Sequence, residues 1–423
     1  MIDIYKLLNE NKSIDGWKVN GEAVESYELF FVHKNLETVR ATDTESTVVT
    51  VYVDHDGKKG LASFKLFAST TEDEARAKID AAAAKAALIS NEYYELPADE
   101  KLDGEIKSNI SDYAPREIAA KIAEAVFSAD TLGMGSINAL EVFINKYTVT
   151  VKNSRGIDKR EVKYSAMLEA IPTWNEGESV ELYEAKRFNS FNVDEIKGEI
   201  EQKMREVRDR GRATAPEKAL TCSVLLPADE LANLFSELTS GLNFASVYSH
   251  SNPFSEGDAI QKAPVSDKLN LTMKGVIEGS VASSLFDGDG TTLIDTCIVK
   301  DGVASSYFGA HRFAQYLKRE ATGNLRCMEV KAGTLTDSEL AKAPYFECVS
   351  MSGLQVDVYN DYIGGEVRLA YYFDGEKKIP VTSVSISGKL SDAINNMKLS
   401  SICTSTGRYR GPKFALFGGI QIV

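Results

Sequence analysis

Hydrophobic positions along the chain follow two rhythms, one of period two and one near 3.6, and their order predicts an α+β fold. Residues 4–8 begin a short helix. Alternation then marks strands at 27–33, 36–41, 47–53 and 61–67. His55-Asp56-Gly57-Lys58-Lys59 forms a tight hairpin turn in which Gly57 takes a positive φ. The clearest helix follows. Thr70 or Thr71 caps it, Glu72, Asp73 and Glu74 suit its positive end, and an alanine-rich body runs to Ile89. Residues 91–113 are polar, hold Pro97 and Gly104, and read as a surface linker. A second group comprises a helix opening on Pro115 and reaching Phe127, then strands at 137–145, 147–153, 161–172 and 178–185. A helix over 193–208 closes it, with Ile196, Ile200, Met204 and Val207 in one stripe.

The polar hinge 211–218 divides the pattern. Before it lies an N-terminal sheet-and-helix region, 1–216, in two segments of several strands and one helix, about 1–95 and 115–216. After it comes a strand-rich domain, 217–423. That domain opens on an apolar run, Val224, Leu225 and Leu226, stopped by Pro227. Leu231, Leu234, Phe235 and Leu238 then fall at i, i+3, i+4 and i+7, the stripe of a helix. Strands follow at 269–278, 292–307, 326–331, 345–350, 355–359, 365–373 and 379–387, with short helices at 310–318 and 390–397 and a last strand from 413. Many antiparallel strands and few helices predict a barrel-like sheet, closed or nearly so.

Composition narrows the function. The 423 residues carry a formal charge of −14, which argues against a nucleic-acid footprint. Arg205, Arg208, Arg210 and Arg212 approach a basic patch, but Glu201, Glu206 and Asp209 interleave with them. No apolar run approaches the roughly 20 residues of a membrane helix, and the amphipathic N-terminus has no signal-peptide core; a cytoplasmic protein is expected. Cys222, Cys297, Cys327, Cys348 and Cys403 are scattered, never in CxxC spacing, and read as free thiols. His33, His55, His250 and His311 never stand at ligand spacing, and neither a GxSxG elbow nor a glycine-rich phosphate loop occurs.

Four stretches carry a family resemblance. They are LTCSVLLPADELANLFSELTSG at 220–241, Phe254-Ser255-Glu256-Gly257-Asp258 with Lys262, the loop Ser283–Thr291 followed by a strand ending in Lys300-Asp301-Gly302, and the helix leading to Ala321-Thr322-Gly323-Asn324. Together they resemble the TldD/PmbA (TldE) family, once called modulators of DNA gyrase. In the TldD branch a helix carries HExxxH, and its two histidines bind zinc with a C-terminal cysteine. Aligned on that motif, Ser236 and Gly241 stand at the ligand positions, Glu237 at the catalytic glutamate, and Cys403 near the third ligand. This resembles the PmbA/TldE branch, which lacks the metal site.

The resemblance implies a TldE-like, non-catalytic subunit of a cytosolic metallopeptidase. No cofactor is expected in this chain; zinc would come with a TldD-type partner, and substrates would be unfolded or leader-like peptides. Glu256, Gly257, Asp258, Asp287 and Gly290 are the peptide-groove candidates. Two other readings stand beside it. One is a regulatory binding protein of the gyrase-modulator type. The other is a stand-alone metallopeptidase with a rewired site, Cys403 with Asp258 or His250. In isolation the chain could cover its partner surface as a homodimer.

Overall fold

The computed structural model describes residues 2–341 and 344–423; Met1, the head of the amphipathic N-terminal stretch, lies outside them. The first half of the chain builds one long, mostly antiparallel sheet. Its strands are β1 (Gly16–Val32), β2 (Asn35–His55), β3 (Lys58–Leu66), β4 (Asn91–Glu92), β5 (Lys101–Glu105), β6 (Gly135–Asn153), β7 (Asp158–Trp174), β8 (Val180–Glu181) and β9 (Glu184–Phe188). The order is β4-β3-β2-β1-β6-β7-β5, and both β8 and β9 pair with β7. The β2–β3 turn is a two-residue loop with Asp56 at φ 50° and Gly57 at φ 69°, the conformation its Asp-Gly sequence favours.

Strand alternation gives this sheet two unlike faces. On one face, Trp17 and Val19 stand opposite Val51 and Val49, and Leu29 stands opposite Val142. Helices α1 (Ile4–Glu10) and α2 (Glu72–Ala86) cover one end of that face, with Leu7, Ala75, Ile79 and Ala82 packed on the two valines. Helices α3 (Pro115–Ser128) and α4 (Val193–Arg212) cover the other end, with Ile118, Ile122, Ile196 and Ile200 in one core with Leu29 and Val142. The opposite face carries Lys18 and Asn20 of β1, Val151 of β6, and Lys159 and Glu161 of β7. The C-terminal half docks there.

Residues 91–113 are not the surface linker the sequence suggests. β4 pairs with β3, β5 lies parallel to β7, and Tyr94, Leu96, Ile106 and Ile110 are buried. Their apolar residues are too widely and irregularly spaced to show a period, so only burial reveals them.

The C-terminal strands are β10 (Ser223–Pro227), β11 (Leu271–Lys274), β12 (Thr296–Lys300), β13 (Val303–Ala304), β14 (Cys327–Val330), β15 (Tyr345–Met351), β16 (Gln355–Asp357), β17 (Tyr362–Phe373), β18 (Lys378–Val381), β19 (Val384–Lys389), β20 (Lys398–Leu399), β21 (Cys403–Thr406), β22 (Tyr409–Pro412), β23 (Phe414–Phe417) and β24 (Ile420–Ile422). They form two open sheets, β20-β23-β10-β15-β17-β19-β24 and β13-β12-β11-β14-β22-β21, with β16 and β18 added to β17. The expected barrel is therefore corrected: neither sheet closes. The strands divide their pairing between two layers, and helix α5 (Ala228–Thr239) touches strands of both. Leu231, Leu234, Phe235 and Leu238 of α5 are buried in the shared core, each contributing about 2 kcal/mol.

Candidate functional site

Pro227, in extended conformation, is the N-cap of helix α5, and Asp229 and Glu230 lie in the helix's first turn. Burial, then the nearby charge of Asp229, raises the Glu230 carboxyl above its usual range. Asp229 accepts a hydrogen bond from the Thr406 hydroxyl on β21. The first turn is thus tied to the β21–β22 hairpin, and Phe235, nearly two turns beyond Asp229, stacks on Tyr409 of β22.

The sequence-predicted ligand positions lie farther along. Ser236 is partly buried and Glu237 is exposed. At Gly241, an added Cβ would meet Cδ of Pro253 at 2.2 Å, so no larger side chain fits without moving that ring. Cys403 does not join these residues. It lines a cleft at the opposite end of α5, with Pro227, Ala228 and Asp229. Ser236 lies about 10 Å farther along the helix axis, at 1.5 Å per residue. A helix motif acting with Cys403 would have to come from the first two turns of α5, whose polar side chains are Asp229, Glu230 and Asn233. Asp229 is engaged by Thr406 and Asn233 by Leu354 O, which leaves Glu230, and these turns carry no histidine. Among the described residues, no three or more His, Cys, Asp or Glu side chains gather where they could hold a metal ion. His250, on an exposed turn at φ 56°, and Asp258 do not complete a set with Cys403.

The Glu256–Asp258 element is a turn held against β13. Gly257, at φ 94°, donates its backbone N–H to Ala304 O at 2.8 Å, and Ala304 donates back to Asp258 O at 2.9 Å. Glu256 pairs with Arg319 at 2.6 Å, and the Tyr307 hydroxyl accepts from the Glu256 backbone at 3.1 Å. Asp258 caps the turn by accepting from Ser255 N at 2.7 Å.

Asp287 and Gly290 lie in the loop that docks on the N-terminal sheet. Asp287 accepts backbone N–H groups from Asp289 (2.9 Å), Thr291 (3.0 Å) and Asn324 (3.0 Å). Burial, then the charge of Asp289, nevertheless raises its carboxyl above the usual range. Gly290, at φ 82°, leaves only 2.6 Å between an added Cβ and the Ile157 side chain. Lys18 pairs with Asp289 at 2.5 Å, Lys159 reaches Thr292 at 2.6 Å, and Glu161 accepts from Leu285 N at 2.7 Å. The structure thus brings Asp287 to Asn324, and Gly257 to β13, but these are fastened turns. None of the five groove candidates lines the large cleft.

That cleft, about 880 Å³, separates the two halves of the chain. One wall is β9, Glu184–Phe188, with the start of α4; the other is β21 with Pro227–Asp229. Among the described residues, β9 pairs only with β7, and β21 ends its sheet. Two strand edges without a second partner therefore face one space. An extended chain placed there could pair its backbone groups with either edge. No local pattern marks this cleft, because β9 and β21 are more than 200 residues apart and each reads alone as an ordinary polar strand or turn.

Residues 219–422 match the model of the PmbA/TldA metallopeptidase C-terminal domain. Among solved structures, the chain is similar to TldE from Thermococcus kodakarensis at 14% identity and a TM-score of 0.82, covering 97% of each chain. A protein from Thermotoga maritima proposed as a modulator of a DNA gyrase gives 13% identity and a TM-score of 0.78, covering 99% of this chain and 98% of that one. A similarly described protein from Bacteroides thetaiotaomicron gives 14% and 0.78, covering 99% and 97%. At these identities the likeness is one of fold. No curated protein matches the chain.

Proposed function

The chain belongs to the TldD/PmbA family by the match of residues 219–422, and on that premise we propose that it is the TldE-like, non-catalytic subunit of a two-subunit zinc peptidase. In this reading a TldD-type subunit supplies the zinc and the groups that act on water. This chain completes the enclosure and receives an unfolded or leader-like peptide in extended form.

The observation that carries the proposal is the pairing of an open cleft with a helix, ADELANLFSELT, that carries no histidine. The cleft sits at the first turn of α5, beside Cys403, and is walled by two strand edges. Main-chain pairing along an edge is indifferent to sequence, which suits a peptidase for unfolded chains. No step of the chemistry is assigned to this chain's own residues.

The test is to mix the purified chain with a TldD-type subunit of the same organism and follow cleavage of an unfolded polypeptide. The two should co-elute on size exclusion, and the mixture should cleave while this chain alone does not. Cleavage by this chain alone, or a mixture that neither associates nor outpaces the TldD-type subunit, would overturn the proposal.

A further inference from the structure

The sheet face opposite the helices is only partly covered by the C-terminal half. Beyond Lys159 and Glu161 it opens into a second cavity of about 390 Å³. Its floor is built by alternation: Phe143, Asn145 and Tyr147 of β6 stand opposite Met167, Ser165 and Lys163 of β7. Arg187 of β9 stands opposite Met167, so its side chain belongs to the same face, where its Nε lies 3.0 Å from the Met167 sulfur. Arg187 also lines the 880 Å³ cleft, and among the described residues no other residue lines both cavities. The two spaces therefore share Arg187 as a wall.

The charges around it are mostly matched. Lys186 lies between Glu195 at 2.9 Å and Glu199 at 2.5 Å. Lys163 has Glu161 at 3.7 Å, and Arg410 has Glu329 at 3.9 Å. Lys413 lies over the ring of Phe414, 5.4 Å from its centroid. No carboxylate of the described residues pairs with Arg187; its recorded contact is the thioether of Met167, a weak acceptor. A planar guanidinium presents two parallel donors that fit one carboxylate.

We propose that Arg187 receives a carboxylate of the extended peptide lying along the β9 edge, with the neighbouring apolar side chain seated on Phe143 and Tyr147. The inference rests on the peptide-binding reading of the cleft. The carboxylate is either the peptide's C-terminus or an acidic side chain. Both would dock on the same fork, and the aromatic floor favours a bulky apolar residue next to it.

The test uses the full-length chain and fluorescein-labelled octapeptides of alternating Val and Thr ending in Phe, read by fluorescence anisotropy. One peptide has a free C-terminus, one is amidated, and one is amidated with Glu before the Phe. The free acid should bind the native chain five- to tenfold more tightly than the plain amide, about the worth of one exposed charged hydrogen-bond pair. Arg187→Met should remove that difference, and Arg187→Lys should restore only part of it. Arg187 is exposed, so both variants should keep the native circular dichroism spectrum. Recovery of binding by the Glu-containing amide identifies a side-chain carboxylate as an accepted source; its failure identifies the C-terminus. Equal binding of free acid and plain amide, or an unchanged difference in Arg187→Met, overturns the assignment to Arg187 while leaving the cleft reading intact. No binding of any peptide overturns both.

Discussion

Lys159 is fully buried, with its ammonium 2.8 Å from Glu100 and 2.6 Å from the Thr292 hydroxyl. It joins the N-terminal sheet to the loop after Asp287. A buried charge needs its partners, and removing one side of a buried pair usually costs several kcal/mol. Glu100 is 45% exposed and keeps some water, so Lys159→Met should cost less, about 2 kcal/mol in urea unfolding. An unchanged midpoint would show that the contact contributes nothing. His311 gives a prediction in pH. Its Nε2 lies 3.1 Å from Glu95 O, and burial lowers its pKa. The folded state therefore resists protonation while the unfolded chain protonates near its ordinary value of about 6.5. The stabilising effect is complete above that value and is lost as pH falls towards the folded pKa. Wild-type melting temperature should fall relative to His311→Gln between pH 7 and pH 5; parallel curves would contradict this.

At the scale of elements, helices were legible and strand lengths were not. Thr71 accepts from Glu74 N at 3.3 Å while the Glu74 carboxylate accepts from Thr71 N at 2.8 Å, a capping box visible as T-x-x-E in the sequence. Thr71→Ala should destabilise the fold by about 1 kcal/mol in the same urea titration, and no loss would mean that tertiary packing alone holds the helix end. Strand β1 runs from Gly16, well before the expected start at residue 27. Its early residues include Asn20, Glu22 and Glu25, which alternation alone reads as a polar loop; they are strand because β2 and β6 pair on both sides. Pairing from distant segments overrides local propensity here. The barrel expectation failed for a related reason. Strand number is readable, but whether the last strand returns to the first is decided by partners such as β10 with β15 and β14 with β22, parallel pairs that no local turn announces.

For the whole molecule, the sequence carried the strand–proline–helix unit and Cys403 but not their arrangement in space. The strand–proline–helix unit and Cys403 were both legible. Their true relation was not, since Cys403 meets the first turn of α5 and not the stretch from Ser236 to Gly241. The cleft needs β9 and β21 together, and only the docking of the two halves through Lys18, Lys159 and Glu161 brings them face to face. We propose that this chain shares the family's architecture and leaves the zinc chemistry to a TldD-type subunit. The most direct test is the zinc content of the purified chain by elemental analysis, alone and in complex with a TldD-type subunit. The chain alone should hold no stoichiometric zinc, and zinc with peptidase activity should appear only in the complex. Near-stoichiometric zinc in the chain alone would contradict it, and would return attention to Cys403 and the carboxylates of the cleft.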